Sequence, residues 1–292
     1  GVASPAQIDA VSRKAFSIGL GPFGLMNLTG PPIALHSTDY LAEQLNTPRY
    51  IGAQNLRDLV GNNAMWPIED DDSYNEEQYT IVSERLLGVV FGVAAQIVDE
   101  DICLMEDVDR GAKVGLRWAK GPFELMNRLG VDEAYRMASA YQQLAGDTWN
   151  LPEFFEQQTS NWDFSYVDLH TEDGIATITI NRPEAMNALN EVVVEQLTQA
   201  VQTANANDAV TTIVLDGAGK AFVAGADVKF FVDKIRSDSI PDIEVFTENG
   251  HVLLSALEDS TKTTVALTTG LALGGGLELA LACDFRIGTR RT

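Results

Sequence analysis

Three glycines precede a short apolar segment near the end of the sequence: Gly274-Gly275-Gly276 is followed by Leu277 to Cys283, LELALAC. We expect a helix that begins at the glycines, and the positive end of a helix attracts a negatively charged atom. Glycine also lets the backbone approach a ligand closely. Glu278 is the charged residue of this apolar segment, and a carboxylate of this kind can act in acid/base chemistry. The alternatives are a plain tight turn and a solvated surface glutamate.

A second glycine pattern, Gly19 to Gly24 (GLGPFG), spells G-x-G-x-x-G, which is typical of a dinucleotide-binding turn. A true fingerprint follows a strand and opens a helix. Here the pattern follows a predicted helix and has Pro22 inside it. Asp39 lies about 20 residues on, as the fingerprint requires, but the residues before it, PPIALHST, make a poor strand. We conclude that NAD does not bind here.

The composition indicates a globular protein: the chain has 292 residues, of which 45% are hydrophobic, enough for about two domains. Forty-two acidic and 20 basic residues give a formal charge of -22, which argues against a nucleic-acid partner. A heavily solvated surface explains this acidity, and recognition of a basic partner is the alternative.

Neither export nor membrane anchoring is expected. The apolar run from Leu86 to Val98 is too short to span a bilayer and is interpreted as a buried helix, and the N-terminus has no signal-peptide pattern. Cys103 and Cys283 lie far apart in apolar surroundings, which gives neither a disulfide framework nor a metal-binding spacing. We therefore expect a cytoplasmic protein without a metal.

An internal repeat decides more about the architecture than any single motif. Gly121 to Gly130 reads GPFELMNRLG and Gly21 to Gly30 reads GPFGLMNLTG, so seven of ten residues recur at an offset of 100. The similarity extends backwards without a gap to Val2 and Ile102. This is a duplicated structural unit, and in the second copy the first and third glycines of the G-x-G-x-x-G pattern are not kept.

Each copy predicts helices. In the first copy, Ser4 and Gln7 can form a capping box around Pro5, and Gly19 or Gly21 ends the helix. The second copy adds an earlier helix, roughly residues 77–99, which has no equivalent before Val2, and a later helix at about 132–145.

The sequence changes character after residue 164. Residues 146–164 keep no period but are rich in aromatic residues, as expected of a linker draped over a domain surface. Beyond it, strands alternate with helices, which indicates an α/β domain. The predicted strands are 165–169, 175–181, 211–216 and 263–268, and the predicted helix is 190–205.

These motifs carry two family resemblances. The repeated GPFxLMNxxG unit over residues 1–145 resembles the C-terminal helical domain of 3-hydroxyacyl-CoA dehydrogenases, which multifunctional β-oxidation proteins carry in tandem. The second half resembles the enoyl-CoA hydratase (crotonase) superfamily. It does so through three ordered motifs, which are INRPEAMNAL from Ile180, KAFVAGADVK from Lys220 and GLALGGGLEL from Gly270. The expected fold is an all-α tandem helical repeat followed by an incomplete α/β crotonase-like spiral domain.

The second resemblance implies roles for particular residues. Water addition to an α,β-unsaturated thioester builds negative charge on the thioester oxygen, which two backbone N–H groups stabilise. By the resemblance these are the amides of Ala226 and Gly275, and Glu278 is one of two carboxylates that hold and activate the water. Because many superfamily members with other activities lack a carboxylate at this position, Glu278 favours hydration.

The resemblance also implies a site for coenzyme A. Lys220 and Lys229 flank the first oxyanion strand, where such lysines meet the CoA phosphates, and Arg182 contributes less directly. For each of these three residues, an ordinary surface charge is an equally good interpretation.

Parts of both families are expected to lie outside these residues. The second hydratase glutamate should follow the strand that begins at Asp284, about 20 residues after the first. The dehydrogenase nucleotide-binding domain, and with it NAD, should precede Gly1. None of His36, His170 and His251 lies in a matching context. The chain is expected to be the middle of a larger bifunctional protein, whose partners are acyl-CoA and either the rest of the same polypeptide or further copies.

The sequence therefore predicts part of a β-oxidation enzyme that hydrates trans-2-enoyl-CoA to 3-hydroxyacyl-CoA, with NAD-dependent oxidation of the product elsewhere in the protein. The alternatives are another crotonase-type reaction, such as enoyl-CoA isomerisation, and a non-catalytic assembly module. The expected organisation is a first helical repeat over 1–60, an acidic connector over 61–78, a second repeat over 79–145, a linker over 146–164 and the N-terminal part of a crotonase-like domain over 165–292.

Overall fold

The computed structural model describes residues 1–146 and 149–290 and divides the chain into two compact units, Gly1–Asp163 and Phe164–Thr292. The first unit is helical and the second is α/β with a mixed sheet, which confirms the predicted fold class. The finer division into repeats, connector and linker remains a prediction.

The helical unit contains the two copies one after the other. In the first copy, Ser4 caps the first helix as predicted: its side chain accepts a hydrogen bond from the Gln7 amide at 3.2 Å, and the Gln7 side chain accepts one from the Ser4 amide at 2.9 Å. The helices of this copy are α1 (Pro5–Phe16), α2 (Pro22–Thr29), α3 (Pro31–Gln44) and α4 (Gln54–Gly61), with a 3-10 turn at Pro48–Tyr50.

The residues PPIALHST, which make a poor strand, lie in α3, so the strand that a dinucleotide fingerprint requires is replaced by a helix.

The second copy starts with a long additional helix, close to the predicted range. Its helices are α5 (Glu76–Asp99), α6 (Met105–Gly115), α7 (Pro122–Leu129), α8 (Val131–Ala145) and the short α9 (Glu153–Gln157).

Helix α5 is the central helix of this unit. By length and composition alone it could cross a membrane, but Leu87, Phe91 and Ala95 are buried in the helical unit. A side chain at Gly88 would collide with the Met137 carbonyl of α8, so glycine permits the close packing of the two helices. We interpret α5 as a core helix.

Each copy ends on a tryptophan that is held by an asparagine of the GPFxLMN motif. The Trp66 amide donates to Asn27 Oδ1 at 2.9 Å, and the Trp162 amide donates to Asn127 Oδ1 at 2.7 Å. The Asn27 and Asn127 side chains each donate back to the carbonyl of the same tryptophan at 2.9 Å. The described part of the predicted linker therefore packs into the helical unit and completes the second copy.

The α/β unit is built on a five-stranded sheet with the order β1-β2-β3-β5-β7, in which β1 is antiparallel to β2 and the other neighbours are parallel. A separate two-stranded parallel sheet pairs β4 with β6. The strands are β1 (Val167–Glu172), β2 (Ile175–Ile180), β3 (Thr212–Gly217), β4 (Ala221–Val223), β5 (Thr263–Thr268), β6 (Leu271–Ala272) and β7 (Phe285–Gly288).

Strand β1 continues beyond the predicted end at Leu169. Asp173 and Gly174 both have positive φ, at 49° and 79°, which is the geometry of a tight hairpin turn. The turn pairs β1 with the whole of β2 and carries the strand to Glu172. The helices of this unit are α10 (Glu191–Ala206), α11 (Val228–Arg236), α12 (Ile240–Glu258) and α13 (Gly275–Ala282), with a 3-10 turn at Pro183–Ala185.

Candidate active site

The small β4–β6 sheet brings the two glycine-rich loops of the α/β unit together. Val223 pairs with Ala272, and the Leu273 amide donates to the Val223 carbonyl at 3.0 Å. A Cβ at Gly276 would collide with that same carbonyl, so only glycine allows α13 to begin so close to β4. The loops that follow β4 and β6 therefore lie side by side.

The first loop is held by two backbone hydrogen bonds to Leu189. Gly225 has a φ of 101°, and its carbonyl accepts a hydrogen bond from the Leu189 amide at 2.9 Å. The Asp227 amide donates to the Leu189 carbonyl at 2.8 Å. Between them, the Ala226 amide has no hydrogen-bond acceptor among the residues that the structure describes, and Ala226 lines a cavity.

The second loop presents a similar amide at the start of α13. Gly274 has a φ of 46°, and its carbonyl accepts from the amides of Leu277 at 2.9 Å and Glu278 at 3.0 Å. The Gly276 amide donates to the Leu273 carbonyl at 2.9 Å. Within the described residues, the Gly275 amide has no acceptor. It lies at the positive end of the helix, where it can bind a developing negative charge.

Ala226, Gly275 and Glu278 line one cavity of about 290 Å³. Phe246, Leu253 and other apolar residues of α12 form another part of its wall. Glu278 is exposed, so its carboxylate reaches both the cavity and solvent. The structure therefore brings the three predicted catalytic residues together from two distant motifs. Two backbone donors and a carboxylate at one apolar cavity can stabilise an oxyanion and polarise a water molecule.

His251 of α12 also lines this cavity. The sequence analysis set it aside because no motif surrounds it. Its helical spacing from Thr247 and Leu254, four and three residues away, gives some signal that it faces the same side of α12 as they do. Only the path of the chain brings that side to the cavity that Gly275 lines.

Arg182 has partners within the α/β unit. Its guanidinium Nη1 lies 2.8 Å from Asp227 Oδ2 and donates to the Ala188 carbonyl at 3.1 Å. The arginine side chain is only 17% exposed. Asp227 also caps α11 by accepting a hydrogen bond from the Lys229 amide at 3.1 Å. The pair thus braces the loop that carries Ala226, while contact of Arg182 with CoA stays a prediction.

Asn187 holds the β3–β4 loop and strand β4, which lead into the loop of Ala226, and was not singled out by the sequence analysis. It is fully buried with a φ of 57°, and its amide nitrogen donates to the carbonyls of Ala218, Ala221 and Phe222 at 2.8–3.1 Å. Its Oδ1 accepts from the Arg182 amide at 2.9 Å. The signal was present, because asparagine is a residue that tolerates positive φ in a turn.

Lys220 and Lys229 are both exposed and have no acidic partner within salt-bridge distance in the part of the chain that the structure describes. Lys220 lies directly before β4, and Lys229 is in the first turn of α11, beside Asp227. Both ammonium groups are therefore available to a polyanion.

Nothing in the described residues resembles a metal site: no group of three or more histidine, cysteine or acidic side chains is arranged to hold an ion. Both cysteines are free, and burial raises the pKa of Cys283 to about 11 and also raises the pKa of Cys103. Thiols with raised pKa values are poor nucleophiles at neutral pH, so neither is a candidate catalytic group.

Both parts of the chain match known families. Residues 1–73 and 81–165 match the family model "3-hydroxyacyl-CoA dehydrogenase, C-terminal domain", which covers more than half of the chain, and residues 170–292 match "Enoyl-CoA hydratase/isomerase". The chain therefore belongs to the family of 3-hydroxyacyl-CoA dehydrogenase C-terminal domains and carries an enoyl-CoA hydratase/isomerase domain after it. Both predicted resemblances are confirmed.

Individual relatives match the α/β part. A crotonyl-CoA hydratase of Syntrophomonas wolfei is 38% identical over 125 residues, which are 42% of this chain and 46% of the relative. A probable enoyl-CoA hydratase of Rhizobium meliloti is 41% identical over 124 residues, which are 41% of this chain and 44% of the relative. The solved structure of PA4980 from Pseudomonas aeruginosa is 36% identical, with a TM-score of 0.42 over 44% of this chain and 55% of that one. The chain spans about half the length of the curated relatives it matches.

Proposed function

We propose that this chain is part of a bifunctional enzyme whose α/β unit hydrates trans-2-enoyl-CoA to 3-hydroxyacyl-CoA. The proposal rests on one observation: the backbone amides of Ala226 and Gly275, which have no acceptor among the described residues, share an apolar cavity with the carboxylate of Glu278. NAD-dependent oxidation of the product would take place in a nucleotide-binding domain that is not among these residues, as the dehydrogenase family of the helical unit suggests.

The two amides would bind the thioester oxygen. As the oxygen of water attacks the β-carbon, the electrons of the carbon–carbon double bond move towards the thioester carbonyl, and its oxygen becomes negatively charged. Donors that are already oriented stabilise this charge without reorganisation, and the N-terminus of α13 adds its positive end. Protonation of the α-carbon then completes the 3-hydroxyacyl product, in which the elements of water have been added across the double bond.

Glu278 would hold and activate the water. Among the described residues it is the carboxylate that lines the cavity, whereas the hydratases that the chain resembles use two. We therefore expect the 292-residue chain alone to turn over crotonyl-CoA far more slowly than a complete hydratase, while isothermal calorimetry should still detect binding of acetoacetyl-CoA. Turnover near that of a complete enzyme would contradict the first expectation, and no heat of binding would contradict the second.

Lys220 and Lys229 would contact the CoA phosphates, because they are exposed cations close to the loop of Ala226 in a chain with a formal charge of -22. Arg182 would act mainly through its pair with Asp227. We place the enzyme in the cytoplasm, where thiols stay reduced, since both cysteines are free. The remaining portions of the polypeptide, or further copies, would complete the assembly.

The decisive experiment replaces Glu278 by Gln in the full-length polypeptide and follows hydration of crotonyl-CoA. We expect kcat to fall about 10²- to 10⁴-fold, the usual contribution of a positioned acid/base group, while circular dichroism stays unchanged. Glu195→Gln, at an exposed position on α10, is the matched control and should keep full activity.

Three results would redirect the proposal. If Glu278→Gln hydrates crotonyl-CoA as fast as the wild type, the site is not a hydratase site. A wild-type protein that interconverts 3-enoyl-CoA and 2-enoyl-CoA without hydrating either would be an isomerase, and one that binds no thioester would support a purely structural module.

A further inference from the structure

Helix α12 forms one wall of the cavity that Ala226, Gly275 and Glu278 line, and Gly250 lies at the centre of that wall. Residues three and four positions apart are neighbours on the surface of a helix. All four such neighbours of Gly250 line the same cavity, as Gly250 itself does; they are Phe246, Thr247, Leu253 and Leu254. The cavity-facing side of α12 therefore has side chains all around Gly250 and none at Gly250.

The fold of the described residues does not require a glycine at this position. Gly250 has helical backbone in the interior of α12, where glycine is the least favourable residue other than proline. Two other interior helix glycines, Gly88 and Gly92 of α5, have a packing reason, because a Cβ would collide with the Met137 carbonyl and with the Trp149 ring. In the part of the chain that the structure describes, a Cβ at Gly250 would meet no atom within 4 Å. The space in front of Gly250 is therefore part of the cavity.

Another wall carries the groups that would act on the thioester. Helix α13 packs against α12, and its residues Gly275, Glu278 and Leu279 line the cavity. A Cβ at Gly275 would lie 3.9 Å from Glu278 Oε2, so the carboxylate lies close to the amide that would bind the thioester oxygen. An acyl chain that begins at these groups has the rest of the cavity to extend into, and α12 bounds that space.

We propose that Gly250 sets the size of the acyl group that the α/β unit accepts. The missing side chain leaves room for acyl chains longer than a crotonyl group, and the neighbours Phe246, Leu253 and Leu254 make the space suitable for a hydrocarbon chain. A side chain at position 250 would exclude long acyl chains first, because a crotonyl group needs only the space next to Glu278. This role of Gly250 rests on the hydratase function proposed above.

The test replaces Gly250 by Ala and by Leu in the full-length polypeptide and measures kcat/KM for trans-2-octenoyl-CoA and for crotonyl-CoA. Filling a hydrophobic pocket by one methylene changes discrimination by about 10- to 200-fold. We expect the octenoyl/crotonyl ratio to fall at least about threefold in Gly250→Ala and at least about 30-fold in Gly250→Leu, with kcat/KM for crotonyl-CoA within about threefold of the wild type. Because alanine and leucine favour helix over glycine, the melting temperature should stay unchanged or rise.

The control variant is Asn249→Leu. It adds a leucine at the adjacent position, which is exposed and is not among the described residues that line the cavity. It should leave the octenoyl/crotonyl ratio unchanged.

The possible outcomes separate the role of Gly250 from the hydratase function. An unchanged ratio in both Gly250 variants, with crotonyl-CoA still hydrated, would overturn the role of Gly250 and leave the hydratase function intact. Equal losses for both substrates, or a lower melting temperature of Gly250→Ala, would show that the glycine serves the reaction or the packing of the full polypeptide, and would also overturn its role in acyl size. So would a wild type that hydrates crotonyl-CoA but not octenoyl-CoA. A wild type that hydrates neither would remove the hydratase function and the role of Gly250 together.

Discussion

Helices that begin at a glycine occur in both units, but they differ in which group accepts the hydrogen bonds of their first amides. At the start of α7, the Asp109 carboxylate accepts hydrogen bonds from the amides of Phe123 at 2.8 Å and Glu124 at 2.9 Å. At the start of α13, the Gly275 amide has no acceptor in the described part of the chain and lines a cavity. A glycine turn whose amides donate to the protein's own carboxylate has a structural role. A glycine turn whose first amide has no acceptor among the described residues is available to a ligand.

The same contrast explains the GPF motif. The Asp9 carboxylate accepts hydrogen bonds from the amides of Phe23 at 2.8 Å and Gly24 at 2.7 Å, so it caps the start of α2 as Asp109 caps the start of α7. A Cβ at Gly21 or Gly121 would overlap the aspartate of the same copy. Both copies have glycine here because an aspartate, which lies 12 positions earlier in each copy, needs the space that a side chain would take. In a dinucleotide site, a phosphate would occupy that space.

Removing the carboxylate at α7 should have the largest effect on stability. Asp109→Ala leaves two buried amide donors unpaired, at about 1–3 kcal/mol each, so we expect the free energy of unfolding to fall by about 2–6 kcal/mol. Urea unfolding followed by tryptophan fluorescence measures it, since all four tryptophans lie in the helical unit. The exposed Asp132→Ala is the control, at under about 0.5 kcal/mol. Equal losses in the two variants would remove the distinction between the two kinds of helix start.

Adding one methyl group at the same turn should have the next largest effect. Gly121→Ala places a Cβ on the Asp109 side chain and should lower the free energy of unfolding by about 1–3 kcal/mol, as overpacking does. Gly111→Ala on α6, where a Cβ meets nothing within 4 Å, is the matched control and should be neutral or slightly stabilising. The same urea titration measures both variants, and a neutral Gly121→Ala would show that the aspartate does not require glycine.

The pH dependence of stability should follow Asp109. Burial, the largest cause, raises the pKa of Asp109 to about 6, against hydrogen bonds from Phe123 and Glu124 that lower it. Because the folded pKa lies above the unfolded value of about 3.9, the native state binds the proton more tightly, and stability falls as pH rises through 6. We expect a loss of about 1 kcal/mol between pH 5 and pH 7, measured by urea unfolding at several pH values. Asp109→Asn should lose this slope, and an unchanged slope would assign it to another group.

The smallest effect is expected at the first glycine of the G-x-G-x-x-G pattern. A Cβ at Gly19 would meet nothing within 4 Å, and the second copy already has Ala119 at this position. Gly19→Ala should therefore change the free energy of unfolding by less than about 0.5 kcal/mol. A loss comparable to that of Gly121→Ala would indicate that this glycine has a role the repeat does not show.

Structural features could be predicted from the sequence where their causes lie within a few residues of one another. The capping box at Ser4 and Gln7, the strand Thr263–Thr268 and the duplication follow from residue types within a few positions of one another. The predicted end of β1 was wrong by three residues because the Asp173-Gly174 turn, not the strand's own residues, determines how far the pairing extends. The roles of Asn187 and the Arg182–Asp227 pair were missed because their partners lie in other elements.

The amino-acid sequence by itself determined the helical repeat, the α/β character of the second half and the three residues of the candidate site, because periodicity, turn chemistry and motifs are properties of short segments. Only the tertiary structure decided that the amides of Ala226 and Gly275 lie at one cavity with no acceptor in the described ranges of the chain, and that Asp9 and Asp109 fill the equivalent position in the helical unit. Those outcomes depend on which distant groups the chain path brings within hydrogen-bonding distance, and no local pattern encodes that.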